Sequence, residues 1–264
     1  MKLNNENYHS KEANQHHLSY SQFKDFCGCL GKVGCEAMAI AKLNGDWQCK
    51  TSNAMLVGSY VDAFFEGTLD LFTAKNPDIF TAKGFLKSEF KKAEEIIERV
   101  SKDDLFMQFM GGEKQTIMTA ELFGVNWKIK IDSYHPDKAI VDLKVMKNLR
   151  EGFYVKDFGR VNFIDFWGYD QQMAIYQEVV RINTGKQLPC YIAAVDKTEF
   201  SDIEILQIDQ NRLNDTLSLI EASVKRVIEV KAGAEPDRCG TCDYCKSTKV
   251  LTSPIHYSEL ILSI

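Results

Sequence analysis

Nowhere in the 264 residues do eighteen or more apolar residues run together, so no segment reads as a membrane-spanning helix. No hydrophobic signal region follows Met1-Lys-Leu-Asn-Asn-Glu, and the chain is expected in the cytoplasm with no membrane partner. Basic charge is short as well. Lys and Arg number 32 against 37 Asp and Glu, a formal net charge of −5 that excludes a broadly basic nucleic-acid coat. Any function that touches phosphate therefore needs a local positive path. There is no Gly-x-x-x-x-Gly-Lys-[Ser/Thr] loop, so no ATP-driven motor is encoded. Internal repeats, low-complexity runs and flexible linkers are also missing, and an apolar content of 45% over this length suffices for one large core.

What is present begins with two strand patterns. Trp127-Lys-Ile-Lys-Ile-Asp132 and Ala139-Ile-Val-Asp142-Leu-Lys144-Val alternate with period two and are joined by His135-Pro-Asp-Lys138. With Pro136 to Lys138 as the loop, His135 pairs with Ala139, Asp132 lies opposite Asp142, and Lys130 lies opposite Lys144. Alternation puts those four charged residues on one face and Trp127, Ile129, Ile131, Val141, Leu143 and Val145 on the other, as core. Like charges directly opposed destabilise a sheet, and a divalent cation would compensate. Asp-x-Lys alone is usually a solvated face; the opposed Asp132 brings the metal reading level with it.

Three more segments bear on that face. Residues 164–180 have helical period and carry Gln172 and Tyr176 at i and i+4, on one helix side. Gly58-Ser-Tyr-Val-Asp62-Ala-Phe-Phe-Glu66-Gly buries an acid, Asp62, in an apolar helix. Glu121 ends the preceding strand: a two-residue Val125-Asn126 turn sets it against Lys130, and a three-residue loop turns it away. The local positive path is Lys144, Lys147, Arg150, Lys156 and Arg160, interleaved with Phe153, Tyr154 and Phe158. Cations there would hold phosphates while the rings stack on unpaired bases, although a charged loop over core aromatics reads equally well. His16 and His17 near the terminus are assigned nothing.

Eight cysteines in a cytoplasmic chain argue against disulfides. Cys239-Gly-Thr-Cys242-Asp-Tyr-Cys245 can converge on one metal, zinc or an iron–sulfur cluster, with a fourth ligand from Cys27, Cys29 or Cys35; unligated thiols are the alternative. Cys49 and Cys190 read as small core residues.

An Asp after a Gly on an early helix, then an acid, an Asp, an Asp-x-Lys and a Gln-x-x-x-Tyr helix: this order resembles the PD-(D/E)XK nuclease superfamily, and within it the RecE/RecB-like phage exonucleases related to lambda exonuclease. The resemblance runs from Leu18-Ser-Tyr-Ser-Gln-Phe to Cys245. It implies an α/β fold with a central mixed β-sheet flanked by helices, a restriction-endonuclease-like core. It also implies that Asp132, Asp142 and the Leu143 backbone carbonyl hold Mg²⁺ or Mn²⁺ and that Lys144 handles the attacking water. Gln172 and Tyr176 would contact the DNA strand or support the lysine, and Asp62, where many members have His, would serve a second metal. Some RecB-like members close the fold with a [4Fe–4S] cluster on one early and three late cysteines, at a late spacing different from this one.

The implied activity is metal-dependent hydrolysis of double-stranded DNA ends for annealing recombination. A single-strand-annealing protein as partner and a ring-like homo-oligomer are implied with it. A non-catalytic DNA-end or protein-binding module is the first alternative, though binding alone does not need Asp132, Asp142 and Lys144 together. A restriction-type endonuclease is the second, and it would need a base-reading segment. One domain over 1–264 is expected: a helical part to 110, the sheet and Gln172 helix over 111–208, and a last helix with the cysteines over 209–264.

Overall fold

The computed structural model describes residues 2–259. Its first helices are set by their caps. Helix α1 (Lys11–His16) starts where the Ser10 hydroxyl accepts the Ala13 N–H, and α2 (Tyr20–Cys27) where Ser19 accepts that of Gln22. The Gln22 side chain does not complete a capping box; its amide donates to Asn14. A short hairpin, β1 (Gly28–Cys29) and β2 (Lys32–Val33), leads into α3 (Glu36–Asn44). Helix α4 (Asn53–Glu66) is capped by Ser52 and stopped by Gly67 at φ 70°, a left-handed conformation that glycine adopts freely. After α5 (Leu69–Lys75), α6 (Ser88–Ser101) buries Phe90, Ala93, Ile96, Ile97 and Val100 on one stripe, as the 3.6-residue period requires. Helix α7 (Asp104–Phe109) ends at Met110.

The central sheet is built from β3 (Glu113–Leu122), β4 (Val125–His135) and β5 (Ala139–Met146), then β8 (Cys190–Asp196) and β9 (Ile203–Gln207), in spatial order β3-β4-β5-β8-β9. Between them come a hairpin, β6 (Phe153–Val155) and β7 (Gly159–Val161), and helices α8 (Phe163–Trp167) and α9 (Tyr169–Thr184). Only β5 and β8 run parallel, with α9 in their crossover, so the sheet is mixed. Helix α10 (Gln210–Lys231) and short α11 (Asp243–Ser247) follow. Trp127, Met173 and Val224 belong to the core on one face, under α2, α9 and α10; Val61, Phe90 and Leu143 belong to the other, under α4, α6 and α7. This is the helix-flanked α/β arrangement that the strand and helix patterns imply. No helix among the described residues is long and apolar enough to cross a membrane.

Two details depart from simple alternation. His135 pairs with Ala139, but the β4–β5 ladder holds for three pairs only, the last being Ser133 with Val141, and opens before Asp132 and Asp142. Lys130 therefore does not face Lys144; it pairs with Ile117 of β3. Nor do the six expected core residues share one face. Trp127, Ile129 and Ile131 join the α9 side, while Val141, Leu143 and Val145 join the α4 side. The alternation breaks at Asp132: Ser133 already turns to Phe109 on the α4 side, and Gln115, at φ 51°, bends the neighbouring strand there. Strand β5 meanwhile pairs with β8 from Ile140 to Met146, which draws it away from β4.

The expected continuous helix over 164–180 is also broken. Gly168 sits at φ 70° between α8 and α9, and a Cβ there would strike the Tyr20 hydroxyl. Glycine lets α9 begin hard against α2, and so fixes where Gln172 points.

Candidate active site

The opening between β4 and β5 gathers the charged residues. Asp132, on β4, turns its Oδ2 across the gap to accept the Leu143 N–H at 2.9 Å. A strand residue's N–H and C=O leave toward the same edge, so the Leu143 carbonyl also faces this gap rather than β8. Asp142, on β5, accepts from the Gln172 amide at 2.6 Å through Oδ1. Its Oδ2 is in ion-pair contact with the Lys144 ammonium but is buried without an aligned hydrogen bond. Lys144 in turn lies 4.6 Å from the Tyr169 ring centroid. Tyr176 donates to the Lys130 carbonyl at 3.1 Å and pins the β4 backbone below Asp132. Gln172 and Tyr176 thus brace the carboxylate and the strand, and neither bonds Lys144.

Asp62 reaches the same cavity, of about 320 Å³, from α4. Burial, with Asp142 and Glu66 adding to it and Lys144 opposing, pushes its carboxyl up to about 7. Asp132 is raised well above the carboxylate range by burial and by Asp142 and Asp62. Lys144 is pulled down by burial yet raised on balance, because Asp142, Tyr169 and Asp132 favour its charged form. Asp132 and Asp142, close enough that the charge of the second disfavours ionisation of the first, offer carboxylate oxygens of the kind a hard divalent cation takes. Asp132, Asp142 and the Leu143 carbonyl would hold it, with Asp62 nearby.

Glu121 is removed from this set. The β3–β4 turn is Phe123-Gly124, which pairs Glu121 with Asn126 at the exposed hairpin end, far along the strand from Asp132. Arg150 is likewise a correction. Its guanidinium is taken by Asp202 and Glu204, so two carboxylates already cancel its charge. Lys147 is exposed, with Glu151 at 3.6 Å. Lys156 and Arg160 are exposed on the β6–β7 hairpin.

The cavity also holds residues that the sequence pattern did not single out: Tyr8, His9, Lys24 and Tyr169. Burial, then Lys130 and Lys128, hold the His9 imidazole below its usual range. Tyr8 bonds the carbonyl of Lys128, 120 positions away, at 3.3 Å. No local pattern signals so distant a contact.

A second cluster lies apart from the first. Cys35, Cys239, Cys242 and Cys245 bring their sulfurs within 4.8 Å of one another, and Cys35 proves to be the early partner. Cys27 and Cys29 stay outside the cluster. Cys35 is the N-cap of α3, and Cys242 that of α11. Burial opposes ionisation of Cys239, but the N–H groups of Cys242 and Thr241 draw its thiol down to about 6. Four convergent thiols fit a soft tetrahedral ion or an iron–sulfur cluster.

Residues 19–248 match the model of the PDDEXK-like domain of unknown function (DUF3799). The crystal structure of a protein from Eubacterium rectale, provisionally described as an exonuclease, superposes with a TM-score of 0.97 at 51% sequence identity, with all of both chains covered. A second solved structure, SSO0001, reaches a TM-score of only 0.30 at 11% identity over 72% of this chain and 82% of its own, which carries no argument. No curated protein matches the chain.

Proposed function

Because this chain belongs to the PDDEXK-like family DUF3799, of the PD-(D/E)XK nuclease superfamily, we propose that it is a Mg²⁺- or Mn²⁺-dependent deoxyribonuclease of the RecE/RecB-like exonuclease type, hydrolysing phosphodiester bonds from double-stranded DNA ends. One observation carries the reading. Asp132, Asp142 and Lys144 share a cavity in which the buried Asp142 carboxylate pairs with the Lys144 ammonium and accepts from the Gln172 amide.

A divalent cation bound there supplies Lewis-acid stabilisation of phosphate charge and eases deprotonation of a water. The chain's own residues do the positioning. Leu143 N–H aims the Asp132 carboxylate, and Gln172 fixes the rotamer of Asp142. Lys144 is held in its charged form beside Asp142, which suits it to orient the attacking water and offset negative charge on the phosphate. Tyr176 holds the Lys130 carbonyl and with it the backbone that carries Asp132. Burial of Asp142, with Asp132 half-buried beside it, strengthens each of these interactions.

Cys35, Cys239, Cys242 and Cys245 hold a structural zinc or [4Fe–4S] cluster in this reading, tying α3 to the C-terminal segment. A role in annealing recombination, with a single-strand-annealing partner and a ring-like oligomer, follows only from the likeness to phage exonucleases. The whole chain is read as one domain.

The test uses end-labelled linear duplex, closed circles and single strands, each with Mg²⁺, Mn²⁺ or EDTA. Loss of linear duplex alone, abolished by EDTA, is expected. Cutting of closed circles would make it an endonuclease, and no cleavage in either metal would leave a binding module.

A further inference from the structure

The β6–β7 hairpin stands beside the catalytic cavity, and the fold treats its two sides differently. On the inner side Phe153 stacks on Phe166, 4.2 Å between centroids and 12° between planes, and meets Trp167 edge-on at 6.1 Å. That aromatic base anchors the arm. On the outer side Tyr154 is 75% exposed and Phe158 67%. Tyr154 lies across the ladder from Arg160, and Lys156 is exposed where the strands turn. Among the described residues, the ion pairs nearby engage Lys147 and Arg150 but neither Lys156 nor Arg160.

Phe153 and Trp167 also wall a groove of about 610 Å³, lined by Lys147 and Lys197, that shares Asp62, Lys144 and Tyr169 with the catalytic cavity. The groove therefore runs from the hairpin base to the catalytic lysine. Single exposed hydrophobics are ordinary on a protein surface. Two rings and two cations outside any ion pair, with Asp157 the one acid among residues 153–161, on one short anchored arm at the mouth of such a groove and on a chain of net charge −5, are not explained by that. Rings that stack on base faces, beside cations that track the phosphates, are the chemistry of single-strand binding. A closed duplex presents no free base faces along its length.

We propose that the β6–β7 hairpin is a stacking arm for unpaired bases of a DNA strand whose backbone enters the groove toward Lys144. This deepens the nuclease reading and rests on it for the direction of the strand. The preferred substrate is then an end with unpaired nucleotides, and a blunt end is engaged through fraying.

The test is binding in EDTA, where nothing is cut, with the full-length protein, a fluorescent single-stranded oligonucleotide carrying 2-aminopurine, and a blunt-ended duplex closed by a loop at its other end. The Tyr154→Ala/Phe158→Ala variant changes only exposed side chains, and circular dichroism melting checks its fold. It is expected to bind the single strand about ten-fold or more weakly, to lose the 2-aminopurine quenching that wild type shows, and to lose less affinity for the duplex than for the single strand. Tyr154→Trp should keep the quenching. Equal single-strand affinity of wild type and double variant, or no quenching with wild type, would overturn the proposal. Because no turnover is involved, failure of the nuclease reading in the cleavage assay and failure of this proposal are separate results.

Discussion

Asp132 is half-buried and held by the Leu143 N–H, and its substitution separates the roles most cleanly. Asp132→Asn keeps an acceptor for the Leu143 N–H and removes one negative charge from the cluster. In EDTA at pH 8 its melting temperature should equal or exceed that of wild type, while Mg²⁺ should no longer raise it, and cleavage should fall roughly a hundred-fold or more. Asp142→Ala is a different case. It abolishes turnover too, but it strands the buried Lys144 ammonium and the Gln172 amide, so a lower metal-free melting temperature is expected.

Asp62 and Asp132 also dictate a pH dependence in the metal-free protein. A carboxyl whose folded pKa is raised binds its proton more tightly when folded, so stability is greatest below the unfolded value and declines as pH climbs to the folded one. For Asp62 that window runs from the ordinary carboxyl value of 3.8 to about 7. Melting temperature in EDTA should fall across it, and saturating Mg²⁺ should flatten the decline. A metal-free profile that rises over the same range would remove the carboxylate cluster from the account.

At the scale of elements, the site depends on where strands and helices are made to stop. The α8–α9 break is legible as a glycine but not as a break, because residues 164–180 keep an unbroken helical period. What decides it is the Tyr20 hydroxyl, which occupies the space a Cβ would need. Gly168→Ala should cost about 1–3 kcal/mol for the left-handed backbone alone, and more for displacing α2 or α9. Thermal unfolding checks that, and a matching loss of cleavage would follow from moving Gln172. The β4–β5 pair teaches a related lesson. The turn and the first pairings were readable from His135 to Ala139, but two-fold periodicity could not foresee the opening at Asp132, which arises from β8 drawing β5 away.

For the whole molecule, the cysteine cluster joins parts of the chain about 200 positions apart. Cys35 caps α3, and Glu36 beside it accepts both guanidinium N–H groups of Arg226 on α10, at 2.9 and 2.7 Å. A metal at the four sulfurs would add to that clasp. Elemental analysis of protein purified without oxygen should find zinc, or iron with matching sulfide, and Cys239→Ser should lose it with a lower melting temperature. Metal at background level in wild type would mean that the thiols only pack.

By itself the sequence determined the acidic strands, the Asp-x-Lys, the Gln-x-x-x-Tyr helix and the late cysteine run, since each is a local spacing that a single strand or helix turns into a shared face. Only the tertiary structure decided that Glu121 and Arg150 stand outside the site, that Cys35 rather than Cys27 or Cys29 completes the cluster, and that Tyr8, His9 and Lys24 line the cavity. Such placements depend on contacts between segments distant in the chain, where loop length, strand competition and burial choose the partner and local periodicity carries no record of it.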